Sequence, residues 1–171
     1  MLLNPVWVML LNRGRPTFLV DAMLGNIAKK LRLLGYDSYY SSNVSDDEVI
    51  FKAKKEGRVL ITKDEQLVKS AERNKIPTIQ IDKNDEVNQL VQIFQNQGLP
   101  KFVLDTNTTR CTVCNGQLYS INKDKILSKV PKGVLANTQN FWECDTCNKI
   151  YWEGSHIDRL QEFVVKLNEK L

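Results

Sequence analysis

Two groups of residues in this chain have the side chains and spacing to hold a metal ion. The first is Cys111-Thr-Val-Cys114 and Cys144-Asp-Thr-Cys147, two pairs with identical internal spacing and 29 residues between them. Each pair of thiolates can grip one edge of a tetrahedral Zn²⁺, and two pairs close a structural site. Asn115, Gly116 and Asn148 follow the pairs and suit tight turns that bring backbone amides toward sulfur. A redox dithiol and unliganded core cysteines are the competing readings.

The second group is acidic. Phe18-Leu19-Val20 is a short apolar run that stops on Asp21, and Val59-Leu60-Ile61-Thr62-Lys63 leads in the same way to Asp64. Asp46-Asp47-Glu48 stands between them. If the two runs are parallel strands, their acids share the carboxyl edge of the sheet, where open α/β sheets place their ligands. Carboxylates gathered together repel, and a divalent cation relieves that repulsion. Mg²⁺ or Mn²⁺ held by a few carboxylates and water is an apparatus for phosphodiester hydrolysis. Each acid taken singly also has a structural explanation, as a helix-start charge or a turn residue. His156 is the only histidine, so no serine or cysteine nucleophile has a nearby histidine base to work with. A surface hydrogen bond, a phosphate contact and proton transfer are the roles open to it.

These groups need elements to position them. After Asp21, Leu24, Ile27, Ala28, Leu31 and Leu34 recur at helical spacing with Lys29 and Lys30 opposite, and Gly35 ends the run. Tyr36–Tyr40 reads as a second strand. Ser45 with Glu48 three residues on is a capping-box signature, and Val49, Ile50 and Ala53 give that helix a core face before Gly57. Residues 58–62 form a third strand, and residues 65–74 a helix. Pro77–Ile81 is a fourth strand, and a last helix is marked by Val87, Leu90, Val91 and Phe94. Strands alternating with helices predict a doubly wound, parallel α/β sheet.

Composition shifts after Asp105. The expected organisation is an N-terminal extension (1–16), an α/β domain (17–105), and a zinc ribbon with a C-terminal helix (106–171). The ribbon is expected to contain a hairpin through Leu118–Leu127 and Val130–Asn137. Its core is small, so metal would supply much of its folding free energy. Phe141, Trp142, Tyr151 and Trp152 flank the second cysteine pair, either packing around the metal or stacking on unpaired bases. Leu160, Phe163, Val164 and Leu167 predict a terminal helix docked on the body.

The 171 residues are 42% hydrophobic and 26% charged, with a net charge of +4. That balance permits nucleic-acid binding without arguing for it. The apolar stretch Val6–Leu11 is far shorter than the roughly 20 residues of a membrane span. Arg13 and Arg15 follow it rather than precede it, unlike a secretion signal. Residues 1–16 are therefore expected to be an extension, either an edge strand or a misassigned start with Met9 as the true initiator. Four cysteines without a secretion signal fit a cytoplasmic, metal-binding chain with no membrane partner.

Five ordered motifs carry a family resemblance: Phe18-Leu-Val-Asp21-Ala-Met-Leu-Gly, Leu31-Arg-Leu-Leu-Gly35-Tyr-Asp, Ser45-Asp-Asp-Glu-Val-Ile, Val59-Leu-Ile-Thr62-Lys-Asp64, and Tyr151-Trp-Glu-Gly-Ser-His156. Together they resemble the Mut-seven C-terminal RNase domain family over about Thr17 to Arg159. The resemblance implies a PIN-like nuclease domain followed by a zinc ribbon, and a metal-dependent ribonuclease leaving a 5′-phosphate and a 3′-hydroxyl. It implies Asp21, Asp46 and Asp64 as ligands of Mg²⁺ or Mn²⁺. Asp46 is favoured over its neighbour Asp47 because the family's acid stands seven residues before a helix alanine, here Ala53. Asp82 is the candidate for a fourth acid.

The expectation is that water is activated at Asp21, Asp46 or Asp47, and Asp64 to attack an RNA phosphodiester. Lys29, Lys30, Lys63 and His156 are the expected contacts to the RNA backbone. The rival reading is a non-catalytic RNA-binding or docking protein on a nuclease-like scaffold. A phosphoryl-acceptor fold also uses acids at strand ends, but Ala22-Met23 offers no second acid beside Asp21.

Overall fold

Three consecutive apolar residues need burial on both sides, and β1 (Phe18–Val20) obtains it at the centre of a sheet, with all three residues at most 1% exposed. The computed structural model describes residues 14–82, 85–103, 105 and 107–171, apart from the side chains of residues 155–158. The expected edge strand of the N-terminal extension lies outside the described residues.

β1 is flanked by β2 (Ser38–Tyr40) and β3 (Val59–Thr62), and β4 (Thr78–Gln80) lies beyond β3, giving the order β2-β1-β3-β4. All pairings are parallel, with Phe18 opposite Ser38 and Val59, and Leu60 opposite Thr78. A short 3₁₀ turn, Ala22–Leu24, leads from β1 into α1 (Gly25–Leu33). The other crossovers are α2 (Asp46–Glu56) and α3 (Glu65–Arg73), and α4 (Glu86–Asn96) follows the last strand, β4.

The strand period of two sorts the core into two layers. On one face Phe18, Val20, Ile61 and Ile79 meet Ile27 and Leu31 of α1 and Leu90, Ile93 and Phe94 of α4. On the other, Leu19 and Leu60 meet Val49, Ile50 and Ala53 of α2 and Leu67 and Ala71 of α3. The sheet is thus covered on both faces, as the alternation of elements predicts.

The helix ends follow their sequence signals. Ser45 and Glu48 form the reciprocal capping box, with Ser45 N–H donating to Glu48 Oε2 at 2.8 Å. At the end of α1, Gly35 takes φ +80°, and a Cβ there would stand 2.8 Å from the Arg15 guanidinium and 2.9 Å from the Thr108 carbonyl. Both the backbone conformation and the crowding call for glycine.

A second, antiparallel sheet is built from β5 (Leu118–Ser120), β6 (Phe141–Cys144) and β7 (Ile150–Trp152). Here the expected hairpin is corrected. Leu118–Ser120 pairs with Phe141–Cys144, and the segment after Pro131 is a helix, α5 (Lys132–Asn137). Pro131 has no N–H for a ladder, and Ile126, Val130 and Leu135 turn inward to cover Phe141.

The final helix, α6 (Ser155–Lys170), packs on α4. Its Leu160, Val164 and Leu167 enter the same core as Phe18 and Phe94. Asn168 fixes the returning chain by accepting from Phe102 N–H and donating to Phe102 O, both at 2.8 Å. Among the described residues no helix is long and apolar enough to cross a membrane.

Candidate functional site

Parallel strands bring their carboxyl ends to one edge, and the acids follow. Asp21 succeeds β1, Asp64 follows β3 by one residue, and Asp82 follows β4. Asp46 and Asp47 are exposed in the first turn of α2, which the chain enters from β2. Neighbouring strands stand about 4.8 Å apart, so β1 and β3 carry their acids side by side.

Thr62 joins those two ends. Its hydroxyl, on a fully buried residue, donates to Asp21 Oδ2 at 2.6 Å and accepts from Asp64 N–H at 2.9 Å. The first bond is short, as expected when a hydroxyl meets a charged carboxylate. Asp64 Oδ1 accepts from Gln66 N–H at 2.7 Å and Leu67 N–H at 3.1 Å, capping α3. Each carboxylate is therefore oriented through one oxygen.

The other acids differ. Glu48 is held by its capping box, and the Ser45 backbone and hydroxyl bring its carboxyl below the usual range. Asp82 Oδ2 accepts from Gln92 Nε2 at 2.7 Å, while Asp82 N–H donates to Gln92 Oε1 at 3.0 Å. Among the described residues only the four cysteines place three or more ligand atoms close enough to share an ion. The carboxylates occupy one edge without closing into such a group.

An open cleft of about 530 Å³ borders the turn after Asp21. Lys29 and Lys63 line it together with Tyr40, Glu86 and Gln89. Lys30 is elsewhere, its ammonium 4.1 Å from the centre of the Phe163 ring on α6. His156 lies in the first turn of α6, and its side chain lies outside the described residues. Tyr40, singled out by no motif reading, donates its hydroxyl to Ala22 O at 3.1 Å and braces the turn beside Asp21. A Cβ on Gly25 would come within 2.8 Å of that hydroxyl, so the close approach needs glycine.

The cysteine site is fully assembled. Cys111 and Cys147 sulfurs lie 3.6 Å apart, those of Cys114 and Cys144 3.3 Å apart, and all four fall within 4.8 Å of one another. A tetrahedron with Zn–S bonds of about 2.3 Å has edges near 3.8 Å, so the donor set fits zinc. The two knuckles share one backbone pattern. Asn115 N–H donates to Cys111 O at 2.9 Å and Asn148 N–H to Cys144 O at 3.0 Å, with both asparagines at positive φ. A Cβ on Gly116 would stand 2.7 Å from the Cys144 sulfur.

The thiols' electrostatics agree with a cation site. Burial pushes Cys111 up, but hydrogen bonds from the Tyr151 hydroxyl and the backbone of Cys114 and Val113 outweigh it and bring the thiol down to about 6. Burial foremost, with the adjoining thiols, pushes Cys114 up to about 12. Four such neighbours ionise together only around a positive ion.

The family model of the Mut7-C RNAse domain matches residues 16–164, most of the chain. The chain belongs to the Mut7-C RNAse domain family. A nuclease-like function goes with that membership, and the Mut7-C match spans both the acidic edge and the cysteine site. No curated protein matches the sequence.

Proposed function

We propose that this Mut7-C chain is a Mg²⁺- or Mn²⁺-dependent ribonuclease, a PIN-like domain whose acidic edge hydrolyses RNA phosphodiester bonds. The observation that supports the reading is the Thr62 hydroxyl, which bonds the Asp21 carboxylate and the Asp64 backbone N–H and so ties together the ends of β1 and β3 from which the two acids project. Oxygen donors of this kind suit hard divalent cations, with water completing the coordination shell. A bound ion would polarise the phosphate and make hydroxide available near neutral pH.

The chain's own residues would supply the rest. Asp21 and Asp64 would fix the ion, with Asp46 or Asp47 of α2 as the third donor and Asp82 as a further acid on the same edge. Lys29 and Lys63 would hold the RNA backbone where they line the cleft beside Asp21. Lys30, beside the Phe163 ring, would bind substrate away from the cleft, and His156 would add a substrate contact. Residues 17–105 form the catalytic unit, and 106–171 a ribbon and helix that hold structural zinc and dock the substrate. A cytoplasmic location fits a thiol-rich RNA enzyme.

Zinc-loaded protein is expected to degrade single-stranded RNA in Mn²⁺ and to stop in EDTA supplied briefly enough to leave the cysteine site loaded. Equal degradation with and without chelator would overturn metal-dependent cleavage. The open spacing of the carboxylates favours one second reading, a docking protein on a nuclease-like scaffold. That protein would bind RNA with strong salt dependence and never turn it over.

A further inference from the structure

The cysteine site and the acidic edge are joined through β2. On the side of β2 away from β1, where another strand's backbone would stand, the first cysteine knuckle supplies the partners. Ser38, fully buried, donates its N–H to Asn115 Oδ1 at 3.0 Å. Asn115 Nδ2 donates in turn to Asp37 Oδ1 at 2.9 Å. That same carboxylate oxygen is paired with Arg58, whose guanidinium also donates to Phe18 O in β1 at 3.2 Å.

Arg32 reaches the strand from α1. Only 3% exposed, it donates Nε–H to Ser38 O at 2.9 Å, and its terminal nitrogen donates to Thr112 O at 2.9 Å and Val113 O at 3.1 Å. Thr112 and Val113 are the two residues between Cys111 and Cys114. Both outward backbone groups of Ser38 are thus satisfied by side chains anchored to one knuckle. A buried backbone group that loses its partner is costly, so an intact knuckle stabilises the outer edge of β2, whose inner edge is paired with β1.

The consequences run to the acids. β2 ends at Tyr40, whose hydroxyl braces Ala22 beside Asp21. The chain then enters α2, which carries Asp46 and Asp47 in its first turn. We infer that Arg32 and Asn115 are positioning residues that make metal in the cysteine site hold β2, and with it the Asp21 turn and the start of α2. The inference rests on zinc occupying the four cysteines, which metal analysis reads independently.

The test is amide hydrogen exchange on the full chain, resolved to single residues, with zinc bound and after chelation under reducing conditions. Chelation is expected to speed exchange at Ser38 by at least about fivefold, the worth of one ordinary hydrogen bond, while Leu60 and Ile61 of β3 keep their protection. Asn115→Gly preserves the left-handed turn and is expected to retain one zinc per chain. In that variant the Ser38 amide should exchange fast already with metal bound, and chelation should add little. Three results would each overturn the inference. These are an unchanged Ser38 amide on chelation, an equal acceleration throughout β3, or an Asn115→Gly protein whose Ser38 amide still depends on metal like wild type. A chain that takes up no zinc removes the premise, and shows in the metal analysis before any exchange is measured.

Discussion

Thr62 is the residue through which the ends of β1 and β3 meet. Its hydroxyl touches both strand ends, so Thr62→Val, close in shape, removes the link without opening a cavity. We expect cleavage to fall at least tenfold, by roughly the energy of one charge-assisted hydrogen bond. Stability should fall by about 1–3 kcal/mol, since the Asp21 oxygen and the Asp64 amide lose their partner. Thr62→Ser should recover most of both. Rates in Mn²⁺ alongside denaturant melts check this, and full activity in Thr62→Val would detach the hydroxyl from the chemistry. Such a role was not legible in sequence, because a threonine's partner depends on which strand lies beside it. The two adjacent lysines of α1 teach the same lesson. Successive helix residues point about 100° apart, so Lys29 lines the cleft while Lys30 lies over Phe163.

Among the elements, the parallel sheet was legible because its central strands, β1 and β3, are buried on both faces and read as apolar runs. The capping box and Gly35 were legible because each answers a purely local demand. The ribbon's interior was less so. Val130–Asn137 carries strand-like apolar residues, and only Pro131 within it and the need to cover Phe141 favour a helix. The clasp on β2 was invisible, its contacts joining residues 77 to 81 positions apart.

That clasp has a pH signature of its own. Burial raises the Asp37 carboxyl, but hydrogen bonds from Arg58 and Asn115 outweigh it and leave the group below its ordinary value. A depressed carboxyl stabilises the fold fully above its unfolded pKa of about 3.9. The contribution disappears as pH falls through the lower, folded value. Acid unfolding of Asp37→Asn should therefore show lower stability at neutral pH and a shallower loss below about pH 4. An unchanged acid profile would remove Asp37 from the network.

At the scale of the whole molecule, α6 returns from the ribbon to complete the core under the sheet. Leu167 is fully buried there, so Leu167→Ala should cost about 2–5 kcal/mol. Denaturation followed separately at the α/β body and at the ribbon should shift at the body, because Leu167 belongs to the body's core. A loss confined to the ribbon would make α6 an ornament of the appendage.

The central claim is that Asp21 and Asp64 act as one unit on RNA. Single-turnover cleavage of a labelled RNA in Mn²⁺ tests it most directly, comparing wild type, Asp21→Asn, Asp64→Asn and the double variant, all zinc-loaded. Each single change should lower the rate by about 100-fold or more, and the double change should add little, as for groups sharing one task. Undiminished cleavage in either single variant would contradict it.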